Sequence, residues 1–210
     1  DIEWVDAELV NDCTVAELLE GCSGIIVPGG FGDRGIEGKV SAIKYVRENN
    51  IPFLGICLGM QIAVVEYARS ILGLAGANSS EFAPDGPYPV IDLMPEQQNI
   101  VKKGGTMRLG AYPCVIHDGT LMKRVYKQDL IYERHRHRYE FNNDYRDALT
   151  EAGMVICGSS PDGSLVEAVE LPNHPYFIGV QSHPEFKSRP NRAHPLFDGL
   201  VAASLKKQAE

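Results

Sequence analysis

Ile51-Pro52-Phe53-Leu54-Gly55-Ile56-Cys57-Leu58-Gly59-Met60-Gln61 is the stretch on which the reading of this chain turns. The apolar run Ile51 to Leu54 has the character of a buried strand. A helix begins at about Leu58, with Ile62, Val65, Ala68 and Arg69 at helical spacing. Cys57 then falls on the sharp turn between the two, which is the arrangement of a nucleophile elbow. A sulfur at a helix N-terminus sits in partial positive charge among unpaired backbone N–H groups. That setting favours the thiolate, the nucleophilic form. Gly55 and Gly59 lack the Cβ that would block a tight turn or a close approach by substrate. An isolated cysteine after an apolar strand is ordinarily a core residue. Compatible partners elsewhere in the chain move the balance toward chemistry.

Two further apolar runs, Gly24-Ile25-Ile26-Val27 and Phe177-Ile178-Gly179-Val180, carry the same strand signal and end in turns containing Gly or His. Between the first strand and the elbow, Gly38 to Asn49 has the spacing of an amphipathic helix with Val40, Ile43, Tyr45 and Val46, closed by Asn49-Asn50 before Pro52. Strand, helix and strand form a βαβ unit. The expected fold is therefore α/β: a doubly wound, mostly parallel sheet flanked by helices. In such sheets the ligand crevice lies beyond the carboxyl ends of the strands, where Pro28-Gly29-Gly30-Phe31-Gly32 and Cys57 should converge. Residues 78–110 read as surface loops and short antiparallel strands covering the site. Glu133 to Phe141 alternates with period two, placing His135, His137, Tyr139 and Phe141 on one face and three arginines on the other. Met154 to Cys157 and Leu165 to Leu171 read as meander strands joined by the turn Ser160-Pro161-Asp162-Gly163. Asp1 to Val5 reads as a strand already under way. On that reading residues 1–210 are one domain lacking its first strand and helix.

With 44% hydrophobic and 23% charged residues in 210, the chain can bury a full core. A net charge of -8 argues against general nucleic-acid binding, which needs clustered Lys and Arg. Five scattered cysteines without a CxxC pair suggest neither a disulfide framework nor a zinc site, and fit a reducing, cytoplasmic setting. No apolar run approaches the roughly 18 residues needed to span a bilayer, and the acidic start is unlike a signal peptide, so no membrane partner is expected.

Thiol catalysis needs a base to carry the proton and a group to orient that base. Gln181-Ser182-His183-Pro184-Glu185 supplies both, with His183 at a strand end and Glu185 two residues on. Acyl transfer also needs donors aimed at the developing oxyanion, and the backbone N–H groups of Gly30 and Leu58 are the candidates.

The elbow, the loop Pro28-Gly29-Gly30-Phe31-Gly32 and His183-Pro184-Glu185 together resemble the class I, triad-type glutamine amidotransferases. Four more segments narrow the resemblance to the glutaminase domains of the CTP synthases. They are Asn78-Ser79-Ser80-Glu81-Phe82, Gly104-Gly105-Thr106-Met107-Arg108-Leu109-Gly110, Glu133 to Glu140, and Pro172-Asn173-His174-Pro175. The resemblance runs from about Gly24 to the C-terminus. It implies hydrolysis of L-glutamine to glutamate and ammonia through a γ-glutamyl thioester, with Cys57 as nucleophile, His183 as acid and base, and Glu185 as its orienter. It places glutamine at Gly29, Leu58, Gly59, Met60, Gln61, Glu81 and Arg138. A free amino acid offers an ammonium to Glu81 and a carboxylate to Arg138, which agrees with their chemistry.

Residues 105–110 resemble the family's lid, through which GTP activates. The family's synthetase half, which takes UTP, ATP and Mg2+ and receives the ammonia, has no counterpart here, since no GxxxxGK[ST] occurs. No cofactor or metal is therefore expected in this domain, and the full-length enzyme is expected to be a homo-oligomer. A metal site recruiting His135 and His137 lacks a third ligand at a characteristic spacing. A silent binding module would not need Cys57, His183 and Glu185 together. A thiol peptidase or γ-glutamyl hydrolase would have less use for Glu81 and Arg138.

Overall fold

The computed structural model describes residues 1–93 and 107–209. In its first half the chain runs through α1 (Val15–Leu18), β1 (Ile25–Val27), α2 (Ile36–Glu48), β2 (Phe53–Ile56), α3 (Leu58–Ser70), β3 (Ala77–Ser79) and β4 (Tyr88–Leu93). It continues through β5 (Arg108–Ile116), α4 (Leu121–Tyr126), β6 (Leu130–His137), β7 (Tyr139–Phe141), α5 (Arg146–Glu151), β8 (Val155–Ser159), β9 (Val166–Glu170), β10 (Phe177–Val180) and α6 (Pro195–Gln208). Seven strands form one sheet in the order β1-β2-β10-β9-β8-β5-β6, and β3, β4 and β7 form a second, smaller one.

Side-chain alternation along the central strands divides the core in two. Phe53, Phe177 and Val169 face one apolar cluster with α2 and α3, while Leu54, Ile178 and Ala168 face the other with α4 and α6. This is why the central strands are apolar throughout: helices cover both faces. Helix α3 is buried from Leu58 to Ala68, because it lies between the large sheet and the small one. Its one fully buried carboxylate, Glu66, is met by Arg47 of α2 through Nε at 2.9 Å and a terminal nitrogen at 2.8 Å.

The α/β class and the flanking helices agree with the sequence reading, but the sheet is mixed rather than mostly parallel. Among the described residues β1, β2 and β10 are parallel, whereas β10-β9, β9-β8, β8-β5 and β5-β6 are antiparallel. The short links from β8 to β9 and from β9 to β10 leave no length for a crossover helix, so those strands must reverse. Asp1 to Val5 is not a strand. Ile2 and Trp4 are exposed, and among the described residues no neighbouring backbone pairs with them. The covering region does contain short strands, but β3 pairs with β4 in parallel and only β4 with β7 is antiparallel. Gly104 to Thr106 of the lid-like segment lie outside the described residues.

The elbow depends on how closely α3 approaches the sheet. A Cβ on Gly59 would stand 2.1 Å from the Val27 carbonyl oxygen, and one on Gly55 would stand 2.7 Å from the Gly59 carbonyl. Both obstacles are backbone, which cannot swing aside. Gly59→Ala should therefore destabilise the protein by about 1–3 kcal/mol, the range for overpacking, and lower the denaturant midpoint. A midpoint equal to that of the unchanged protein would show that α3 does not rest on β1 as described.

Candidate active site

Cys57 is the cap between β2 and α3, with φ 49 and ψ -100, one of three non-glycine residues at positive φ among the described residues. Such a conformation is strained, and it persists because both sides of the peptide are held. The Cys57 N–H donates to the Val180 carbonyl at the end of β10 at 2.7 Å, and the Cys57 carbonyl accepts from the Gln61 N–H at 3.1 Å. The side chain, 3% exposed, thus projects at the N-terminus of α3, where the Leu58 N–H has no intrahelical acceptor.

His183 lies just past β10, and its N–H donates to the Arg134 carbonyl of β6 at 2.8 Å. Its Nδ1 is 2.7 Å from Glu185 Oε1, within a 3-10 turn at Pro184–Phe186. A carboxylate only accepts, so Nδ1 carries the hydrogen and Nε2 is the ring atom left for chemistry. Among the described residues Nε2 is buried without a formed hydrogen bond. The Phe186 ring stacks on the imidazole at 5.0 Å. Burial pushes the His183 pKa down, but the Cys57 sulfur and the Glu185 carboxylate outweigh it and lift the ring to about 10. Of the two influences that raise the ring's pKa, the Cys57 sulfur comes ahead of the Glu185 carboxylate.

Gly29 completes the triad wall. A Cβ there would lie 2.7 Å from His183 Cε1 and 3.5 Å from Cys57 Cβ, so only glycine leaves the gap between them open. The next residue, Gly30, stands against the Leu58 side chain, which its Cβ would meet at 3.2 Å. The loop after β1 and the start of α3 thus converge beside the sulfur, as the strand-end argument requires.

A second group forms one loop further out. Glu81 is half-buried, which raises its pKa, while the Gly32 backbone N–H and the nearby Arg138 guanidinium pull the other way. The structure thereby assembles Gly32, Glu81 and Arg138. The Tyr139 carbonyl, one residue after Arg138, accepts from Gln61 Nε2 of α3 at 2.9 Å. The Arg136 guanidinium covers the Phe31 ring at 5.4 Å. Gly59 and Met60 are placed differently. Gly59 is pressed on β1 and the Met60 side chain packs over Gly179, so only their backbones are available to a ligand. Among the described residues no group of three or more His, Cys, Asp or Glu could hold a metal ion. His135 and His137 instead bond to one another at 3.0 Å, and burial, then Arg108, keeps both rings neutral by lowering their pKa values.

Gln181 is the residue that the sequence reading quoted without giving it a role. Its Nε2 lies 3.5 Å from Cys57 Sγ. The signal for it was its position directly after the β10 strand and two residues before His183.

The chain matches the family model for glutamine amidotransferase class-I over residues 2–203. It belongs to the class I glutamine amidotransferases. It is 65% identical over 205 residues to the CTP synthase of Caldanaerobacter subterraneus subsp. tengcongensis and 58% identical over 205 residues to that of Bacillus subtilis strain 168. Each match covers 98% of this chain and 38% of the relative, so the amidotransferase chain spans well under half of their length. Among solved structures it superposes on the glutaminase domain of Trypanosoma brucei CTPS with bound acivicin at a TM-score of 0.92 and 42% identity. That match covers 98% of this chain and 81% of the other. A Thermoplasma acidophilum protein named for GMP synthase, 18% identical with a TM-score of 0.60 over 94% of this chain and 80% of that one, shares the fold.

The raised pKa of His183 has a sign that can be checked. Its protonated form is favoured by folding, so the stability it contributes is complete below about pH 6.5 and is lost as pH rises through about 10. The difference in unfolding free energy between the protein and a His183→Ala variant should therefore shrink from pH 6 to pH 10 in denaturant titrations. A difference that grew with pH would reverse the assignment.

Proposed function

We propose that the chain hydrolyses L-glutamine to glutamate and ammonia at Cys57, with His183 and Glu185 as its partners. The observation that carries this reading is a strained, buried cysteine at a helix N-terminus facing an imidazole that a carboxylate holds in one tautomer. Glutamine would lie with its ammonium at Glu81 and its carboxylate at Arg138 and the backbone N–H groups of the two glycine-bearing loops. Its side-chain amide would then reach the sulfur.

Attack forms a bond from Sγ to the amide carbon and moves the C=O pair onto oxygen, where the Gly30 and Leu58 N–H groups would receive it. His183 gives its Nε2 proton to the departing nitrogen, and ammonia leaves as the C–N bond breaks. The ring, now neutral, takes a proton from water as that oxygen bonds to the thioester carbon. The C–S bond then breaks with its electron pair returning to sulfur, and glutamate is released.

The names of the relatives support a further step outside this chain, in which the ammonia aminates UTP to CTP in a synthetase portion that uses ATP and Mg2+. In the same reading GTP acts at the boundary between the two portions, near the segment ending at Gly110, and the full-length enzyme is a cytoplasmic homo-oligomer. No helix of the described residues is long and apolar enough to cross a membrane.

The first test is intact-mass analysis after incubation with an electrophilic glutamine analogue. One adduct is expected, on Cys57, blocked by excess glutamine and absent in Cys57→Ala. Equal labelling of several cysteines would overturn the reading. Arg138→Ala should raise the glutamine KM by about tenfold or more with a smaller effect on kcat, the size expected for losing a charge-assisted contact. An unchanged KM would remove Arg138 from the substrate site.

A further inference from the structure

The Cys57 sulfur has a second polar neighbour besides the imidazole. Gln181 is fully buried immediately after β10, and its backbone N–H is spent on the Glu167 carbonyl at 2.9 Å. Its side-chain oxygen accepts from Gln61 Nε2 at 3.1 Å, which leaves its own Nε2 directed at Sγ at 3.5 Å. The orientation of an amide is known only from its partners. Here the partners are unambiguous, because the relay starts at the Tyr139 backbone carbonyl, which can only accept. That carbonyl receives Gln61 Nε2 at 2.9 Å and His137 Nδ1 at 3.2 Å, so both its lone pairs are occupied and the Gln61 amide is pinned nitrogen-inward. With both Gln61 N–H groups committed, the oxygen of Gln181 must turn toward Gln61 and its nitrogen toward the sulfur.

We infer that Gln181 is a further catalytic residue: a neutral N–H donor to the Cys57 sulfur that favours the thiolate and fixes its direction, with Gln61 as the residue that positions it. The inference rests on the reading of Cys57 as nucleophile. The chemistry suits both halves of the reaction. A hydrogen bond to the charged form favours that form, so Gln181 supports the attacking thiolate. It does so again when the C–S bond of the thioester breaks and the electron pair returns to sulfur. A neutral amide serves here better than a second cation, because it has no proton to lose and does not compete with His183 for protonation. It also gives the Gln61 side chain, which the family resemblance places at the substrate, a role that acts through another residue.

The test compares the protein with Gln181→Leu, Gln181→Glu and Gln61→Leu, in glutamine hydrolysis and in alkylation of Cys57 by iodoacetamide, mapped by mass, at pH 7 and pH 9.5. Gln181→Glu is close in size and keeps a buried polar group, so it carries the test if Gln181→Leu does not fold. Both Gln181 variants should lose about tenfold or more in kcat, with KM within about twofold. Cys57 alkylation should fall by about tenfold at pH 7, and the gap should narrow toward pH 9.5. Gln61→Leu should show the same pH signature at smaller size. Turnover and alkylation within twofold of the unchanged protein in both Gln181 variants would overturn the inference, as would a loss equal at both pH values, which marks a structural role. Cys57→Ala separates the two levels. If it is inactive while the Gln181 variants are unaffected, the nucleophile stands and this inference fails; if it still turns over glutamine, the reading beneath it fails.

Discussion

The backbone of Cys57 is the constraint on which the rest of the structure depends. A positive φ at a residue with a Cβ costs of order 1–3 kcal/mol and is kept only where its surroundings leave no alternative. Here the N–H is tied to the end of β10 and the carbonyl to the first turn of α3. Those anchors are in reach only because α3 touches the sheet nearly backbone to backbone. The contact is made at three glycines on three elements: Gly55 on β2, Gly59 on α3 and Gly179 on β10, where a Cβ would stand 3.0 Å from Met60. The strain on one residue is thus maintained by the packing of a whole helix layer. The same geometry points the sulfur at the carboxyl ends of β1, β2 and β10, where the glycine-bearing loop and His183 already lie.

Burial does opposite things to the histidines of this fold, and charge decides which. His135 and His137 are buried beside Arg108, which adds to the desolvation that keeps them neutral. His183 is buried too, yet a carboxylate and a sulfur outweigh the desolvation, and the ring is held protonated. The loop that carries it is fixed from behind. Lys187, two residues past Glu185, bonds Glu133 at 3.0 Å and the Tyr132 carbonyl, and Glu133 is met from the other side by His194 Nε2 at 3.2 Å. Burial raises the Glu133 pKa, and the bonds from His194 and Lys187 more than offset that, leaving a carboxylate that anchors the triad loop to β6.

Local pattern made much of this legible. The three parallel strands, α2, α3 and the alternation across β6 follow from apolar spacing and turn residues, because those signals are carried by neighbours in sequence. The strand expected at Asp1 to Val5 failed for the opposite reason: its apolar residues alternate well enough, but a strand needs a partner backbone, and among the described residues none pairs with it. The β8–β9 meander was legible from its turn, but the antiparallel placing of β5, β6 and β10 beside it and the parallel pairing of β3 with β4 were hidden, since strand direction is set by which neighbour a strand finds. That the Met60 side chain fills the space over Gly179, leaving its backbone to face a ligand, depends on the helix's rotation against β10.

By itself the sequence determined the chemical types and their order: a cysteine between glycines at a strand-to-helix turn, a histidine and a glutamate two residues apart, and a glycine-rich loop after the first strand. Those are covalent facts, and the turn, the tautomer and the absence of obstructing Cβ atoms follow from them locally. Only the tertiary structure decided that Cys57 and His183, more than a hundred residues apart, face one another across a gap that Gly29 leaves open, that Glu81 meets Gly32 and Arg138, and that Gln181 aims a nitrogen at the sulfur. Each of these depends on a distance of a few ångströms between separate strands, and such distances are set by how helix and sheet pack, which no stretch of sequence contains.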